Sequence, residues 1–286
     1  MRSVGKGGYA TLERDNVGRA SARPSERPAN RIHDIQRSFV NVQTFAWLAL
    51  SVILGPAIWP NPCLAQDEVV VNPGMAKVEF ENEQIRVLRV AIGAHQKTAM
   101  HSHPSRFGVA ITKNDIRVYF PNSTSKPSAR IAHEHFWSEP VTHQVENLSD
   151  EPLQNIEIEL KRANAGAVDV KPATVASKAQ GTATDPVAVE QEPHHHVIFE
   201  NQYVRVMEVI VAPGETTLFH KHSLDNVPVF LSDAAVKRQF VGGDWAPSPA
   251  KEGSVGFTAG TKTPYVHRIT NAGTTVFHVL DVEILP

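Results

Sequence analysis

Cysteine is almost missing from this chain. Cys63 is the only one in 286 residues, so no intrachain disulfide can form in any compartment and the fold rests on its hydrophobic cores. An excess of either charge is missing too: 28 Lys and Arg stand against 30 Asp and Glu, a formal charge of −2. Without a basic field the chain has no electrostatic grip on nucleic acid or on anionic lipid, which leaves a small-molecule ligand as the expected partner. Long helical stripes are absent beyond residue 66. The longest apolar run, residues 45–59, is interrupted by Pro56 and falls short of the roughly 20 residues that span a bilayer comfortably.

That run has a recognisable setting. Residues 1–36 scatter Arg, Ser, Pro and Asn with no apolar period and read as a disordered N-terminal extension. Arg31 and Arg37 precede the apolar run, and Cys63, Leu64 and Ala65 lead into the polar start at Gln66 and Asp67. A basic flank, a short apolar core and small residues describe a secretory signal peptide over 37–66. The expectation is a secreted or periplasmic protein whose exported form begins near residue 66, with no stable membrane insertion once the signal is removed. A retained membrane anchor is the alternative.

Beyond residue 66 the chain repeats itself. Residues 78–90 align without a gap on 197–209, and at the same offset His101-Ser102-His103 falls on His220-Lys221-His222. Further on, His143 and Asn147 match His267 and Asn271, and Glu157 to Leu160 match Asp281 to Ile284. Two copies of one domain follow, at 67–161 and 194–286. The Ala-, Pro- and Thr-rich stretch 162–193 between them reads as a linker. Within each copy β-branched residues dominate and Gly, Pro, Asn or Asp break the chain at short intervals, the pattern of many short strands in a sandwich, jelly roll or barrel. Ile156, Ile158 and Leu160 alternate with Glu157 and Glu159, as do Leu280, Val282 and Ile284 with Asp281 and Glu283. A period of two places the aliphatics on a core face and the acids in water. Arg86 and Arg205, each between aliphatics, belong either on the wet face or inside against an anionic ligand.

Histidine is the residue in excess, at 14. Strand residues i and i+2 share a side, so His101 with His103, and His220 with His222, each present two imidazoles to one face. His143 and His267 supply a third donor to each copy, and three imidazoles hold a divalent ion while leaving positions open to water or substrate. The run His194-His195-His196 beside the linker reads as a solvated strand start. His95, His133, His135 and His278 have no counterpart in the other copy and are assigned to no site.

These residues carry a resemblance. Gly93, His101-x-His103 and His143-x-x-x-Asn147, with their equivalents at Gly214, His220-x-His222 and His267-x-x-x-Asn271, resemble the two motifs of the cupins. The resemblance covers nearly all of 75–162 and 195–286. It implies an all-β chain of two tandem double-stranded β-helix barrels, a bicupin of the exported bacterial type, with a metal in each mouth. Cupins usually add a glutamate shortly after the histidine pair. Here those positions hold Phe107 and Gly108 in one copy and Asn226 and Val227 in the other, with Arg106 and Asp225 one residue earlier. Three neutral imidazoles suit Zn²⁺, Fe²⁺, Ni²⁺ or Cu²⁺ and bind Mg²⁺ or Ca²⁺ poorly. Arg106 and Asp225 are the candidate ligand-binding residues, the first favouring anions such as carboxylates and the second a possible oxygen ligand. The functional expectation is a metal-dependent bicupin acting on a small oxygen-bearing molecule, a dioxygenase or an isomerase. The alternative is an exported bicupin that binds a small ligand or metal without turnover. Assembly as a homo-oligomer is compatible with either.

Overall fold

A computed structural model of the chain describes residues 66–161 and 179–286. The extension, the apolar run and most of the stretch read as linker lie outside the described residues. Among the described residues no helix is long and apolar enough to cross a membrane.

The first copy contributes ten strands: β1 (Gln66–Asp67), β2 (Ala76–Glu81), β3 (Ile85–Ile92), β4 (His101–His103), β5 (Arg106–Ala110), β6 (Asn114–Tyr119), β7 (Ser125–Arg130), β8 (His135–Ser138), β9 (Val141–Asn147) and β10 (Leu153–Leu160). The second repeats them as β11 (Val187–Ala188), β12 (His195–Glu200), β13 (Val204–Val211), β14 (His220–His222), β15 (Asp225–Phe230), β16 (Val236–Phe240), β17 (Ala246–Pro247), β18 (Thr258–Ala259), β19 (Tyr265–Asn271) and β20 (Phe277–Ile284). Sheet order in the first copy is β1-β4-β9-β6-β7 and β2-β3-β10-β5-β8. In the second it is β11-β14-β19-β16-β17 and β12-β13-β20-β15-β18, the same order with every strand advanced by ten. Each copy is therefore one jelly-roll barrel of two facing sheets.

The turns explain several repeated residues. Asn82 and Asn201 close equivalent hairpins, each side-chain oxygen accepting two backbone N–H groups at 2.8 to 3.0 Å. Asn147 and Asn271 are fully buried and donate to carbonyls on two neighbouring segments, so they act as clamps at the ends of β9 and β19.

Each barrel has its own interior: Leu88, Val90, Ile92, Ile116, Val118 and Leu153 in the first, and Val209, Val211, Val236, Ile269, Phe277 and Val279 in the second. A third cluster joins the barrels back to back. Ile85, Val87, Phe107, Ile156 and Ile158 of one meet Val204, Val206, Val227, Leu280 and Val282 of the other. Phe80 stacks on Phe257 with ring centroids 4.3 Å apart, and the Arg89 guanidinium donates to the Gly253 carbonyl at 2.7 Å.

This third cluster reverses the sequence reading of β10 and β20. Their acids do not face water: Glu159 and Glu283 are 1% and 2% exposed. The aliphatic face covers the other barrel, so the alternating acids turn inward, where both faces of the strand are dry. Arg86 and Arg205 also turn inward, and they pair with those acids instead of awaiting a ligand. Arg86 reaches Glu159 and Asp67 at 2.6 Å, and Arg205 reaches Glu200 at 2.6 Å and Glu283 at 3.2 Å.

The end of the stretch read as linker is also structured. β11 pairs in parallel with β14, and a 3-10 turn (Val189–Gln191) leads to Glu192, which is buried. The second barrel thus starts before residue 194.

Candidate metal centre

Antiparallel pairing of β4 with β9 sets His101 directly opposite His143, while His103 lies two residues along β4 on the same face. The three rings are buried and their centroids are 4.7 to 5.2 Å apart. β14 and β19 repeat the arrangement with His220 opposite His267 and His222 beside them, at 4.5 to 5.1 Å. All six histidines marked by the motif therefore fall into two triads, one per barrel.

Hydrogen bonds select the tautomers. The Nδ1–H of His101 donates to the Ala99 carbonyl at 2.7 Å, and its counterpart in His220 donates to Leu218 at 2.9 Å. His103 donates from Nδ1 to Glu159 at 2.7 Å. Each bond leaves an Nε2 lone pair facing the cavity, the arrangement in which an outer partner orients a metal-binding imidazole. The Nε2 of His143 is buried with no hydrogen-bond partner. Burial pushes His103 down to about 3, His143 to about 2 and His220 to about 3, and holds His101, His222 and His267 below the usual histidine range. Neutral imidazoles crowded in a dry cavity fit a divalent transition metal, which needs unprotonated nitrogen.

Other side chains converge on the triads. In the first barrel a short helix, α1 (Glu68–Val71), follows β1, with the Asp67 side chain accepting from Val69 N–H at 2.9 Å. Its Glu68 is 2% exposed, and its two carboxylate oxygens lie 3.6 Å from Nε2 of His101 and 3.6 Å from Nε2 of His103. Burial, and secondarily the charge of Glu157, push Glu68 up to about 9. In the second barrel His195, at the start of β12, is 8% exposed. Its ring centroid is 4.6 Å from that of His220, and its Nδ1–H donates to Glu192 at 2.7 Å. Against the effect of burial, hydrogen bonds from His195 and His194 hold Glu192 down at about 2. Donor atoms of His195, His220 and His222 lie within 4.8 Å of one another, as do those of His101, His103 and His143. His222 and His267 approach Nε2 to Nε2 at 3.1 Å.

No protein-family model and no curated protein matches the sequence. Solved structures do. AerE from Microcystis aeruginosa superimposes with a TM-score of 0.51 at 11% identity, covering 74% of this chain and 93% of its own. A cupin 2 conserved barrel domain protein from Leptotrichia buccalis gives 0.44 at 13% identity, over 73% of this chain and 88% of its own. Salicylate 1,2-dioxygenase from Pseudaminobacter salicylatoxidans gives 0.46 at 10%, over 70% of each. The chain shares its fold of two tandem jelly-roll barrels with AerE.

Two expectations about the sites change. His195 is a buried member of the second site, not part of a solvated strand start, because β12 pairs with β13 and turns this one ring of the run inward. Asp225 does not line the second cavity. Arg106 stands opposite Glu159 on β10, and the residue opposite Glu283 on β20 is Asn226, whereas Asp225 stands opposite Ile284. The connection after the second histidine pair is one residue longer, and this turns Asp225 away from the cavity, where it stays buried and its carboxylate accepts from Thr261 N–H at 2.9 Å. Asn226 points in and donates to Asp281 at 2.6 Å. Arg106 does line the first cavity, buried and 2.7 Å from Glu157.

His95, His133 and His278 pair with acids elsewhere, and His135 stacks against Phe107. Glu68, Glu157, Glu159 and Asp281 were not anticipated as site residues. The period-two alternation carried the signal for the last three, read with the wrong face outward. Glu68 left no signal in the repeat, since it has no acidic counterpart.

Proposed function

We propose that this bicupin is an exported metal-dependent enzyme acting on a small oxygen-bearing anion, with its reactive site in the first barrel. One observation carries the reading. The cavity holding His101, His103 and His143 also takes in Arg106, Lys126 and Arg130 against the acids Glu68 and Glu157, so imidazole donors and an excess of cations converge on one small space. Such a space favours a carboxylate by charge and leaves its remaining oxygens directed at the histidines.

His101, His103 and His143 would hold one divalent ion, and His220, His222 and His267 a second. A bound transition metal supplies Lewis acidity toward an oxygen of the ligand, and with a redox-active ion the option of oxygenation. The protein does the rest. Arg130, stacked over Phe136 at 4.1 Å from the ring centroid, offers its guanidinium edge to the anion at the mouth. Arg106 is fixed by Glu157. Phe120, Phe136 and Trp137 line the wall and exclude water. Glu159 holds His103 in place by accepting its Nδ1–H. The apolar run ahead of Gln66 supports export, and N-terminal sequencing of the native protein tests it.

The reading is checked by titrating small carboxylates into the metal-loaded chain, with product analysis under air. Arg130→Ala is expected to weaken carboxylate binding and leave metal content unchanged. Carboxylate affinity equal in wild type and Arg130→Ala contradicts the anion assignment. Binding without product, across carboxylates that bind, supports the non-catalytic alternative.

A further inference from the structure

The two barrels repeat each other strand for strand, yet they differ in the donor beside the triad, and the difference is reciprocal. Gln66 is registered with His101 and Val187 with His220, so Glu68 and Val189 occupy equivalent places. Ala76 is registered with Val90 and His195 with Val209, so Ala76 and His195 are equivalent as well. The first barrel has an acid at one place and Ala76 at the other. The second has Val189 at the first place and an imidazole at the other. Val189 and Ala76 are buried, at 2% and 4% exposure, so a packed apolar side chain fills each place without a donor.

We propose that the barrels hold different metals: the first completes its triad with the Glu68 carboxylate and takes Mn²⁺ or Fe²⁺, the second completes its triad with the His195 imidazole and takes Cu²⁺ or Zn²⁺. The proposal rests on the reading that the triads bind metal.

Geometry supports both additions. Donors that share one ion at roughly 2.1 Å each stand about 3.0 to 3.5 Å apart, and the two oxygens of Glu68 lie at 3.6 Å from Nε2 of His101 and His103. His195 has given its Nδ1–H to Glu192, so its Nε2 carries the free lone pair, with the donor atoms of His220 and His222 inside 4.8 Å. The chemistry then divides. An oxygen donor with a negative charge brings Mn²⁺ within range and cancels one charge of the ion, whereas four imidazoles form a nitrogen-only site that favours the copper and zinc end of the series. Asp281, 3.6 Å from Nδ1 of His222, then balances the ion from outside the donor set, as Glu159 does at His103 in the first barrel.

The test uses the full chain, stripped of metal and titrated with Mn²⁺, Zn²⁺ and Cu²⁺ singly and in competition. Bound metal is read by elemental analysis, and the copper site by its paramagnetic resonance spectrum. Wild type is expected to bind one Mn²⁺ that Zn²⁺ does not displace until a first Zn²⁺ has filled the other barrel. Glu68→Ala and Glu68→Gln should weaken Mn²⁺ by ~100-fold or more, beyond the usual effect of an outer partner, with the first Cu²⁺ unchanged. His195→Ala should keep Mn²⁺ and turn the copper spectrum from four coupled nitrogens to three. Because each variant leaves the other barrel intact, retained binding there reports that the chain has folded. The double exchange Val189→Glu with His195→Ala should give the second barrel the Mn²⁺ preference of the first. Unchanged Mn²⁺ affinity in both Glu68 variants, or a four-nitrogen spectrum in His195→Ala, overturns the proposal while the triads stand. A wild type that binds none of the three ions overturns both.

Discussion

A histidine ring has two nitrogens, and which one is engaged decides what the other can do. In both barrels a backbone carbonyl two residues earlier engages Nδ1 of the first triad histidine, Ala99 for His101 and Leu218 for His220. The free nitrogen faces inward by consequence of local chain geometry alone. The triads were legible in the sequence for that reason: i and i+2 on a strand, repeated at one offset, leave few arrangements. Glu68 and His195 were not legible, because each lacks a like residue in the other copy and nothing in a strand's period says which segment will cross a barrel's mouth. Arg106 and Asp225 show the limit of ungapped alignment, since one extra residue turned Asp225 away from the cavity and brought Asn226 into its place. Arg106→Ala should therefore destabilise the chain by ~3–5 kcal/mol, the usual cost of leaving a buried charge without its partner, here Glu157. Asp225→Asn should alter neither metal content nor carboxylate affinity. Denaturant unfolding and metal analysis of the two variants check these outcomes, and an Arg106→Ala chain as stable as wild type would show that the Glu157 pair contributes little.

At the scale of elements, β10 and β20 are the hinge of the architecture. Each shows one face to its own barrel and the other to its neighbour, so neither face is wet. The alternation was legible, but its direction was not, because a single strand's pattern does not reveal that a second barrel covers the outer face. Polar residues end up inside, where Arg86, Arg205, His103 and Asn226 compensate them, and apolar ones glue the barrels together. Ile158 is fully buried in that seam, so Ile158→Ala should cost ~2–5 kcal/mol. Ile210, on the outer face of β13 and 40% exposed, serves as the control. Ile210→Ala should stay within roughly 0.5 kcal/mol of wild type. Urea midpoints of the two variants measure the contrast, and equal losses would mean that the barrels are not held by this seam.

For the whole molecule, the buried titratable groups predict how the metal-free chain responds to pH. The histidines with folded values of about 3, 2 and 3, His103, His143 and His220, are depressed from 6.5. The unfolded chain therefore binds more protons than the folded one as pH falls from 6.5 toward 3, and stability is lost on that side. Asp281, Glu283 and Glu68 are raised, to about 6, 7 and 9. Their contribution is complete below about 4.5 and is lost as pH rises through those values. With six depressed histidines against these acids, the melting temperature of the metal-free chain should peak near about pH 7 and fall on both sides, more steeply in acid. Calorimetry across pH 4 to 9 follows it, and a melting temperature that climbs steadily to pH 9 would mean that the interior carboxyls are solvated.

Both the proposed function and the difference between the barrels require that each barrel hold one metal ion on its own histidine triad. Elemental analysis of the full chain, reconstituted with Zn²⁺ and separated from free ion, addresses it most directly. Two ions per chain are expected in wild type, one in His143→Ala, one in His267→Ala and none in the double variant. A wild-type chain that retains no ion, or single variants that both retain two, would contradict it.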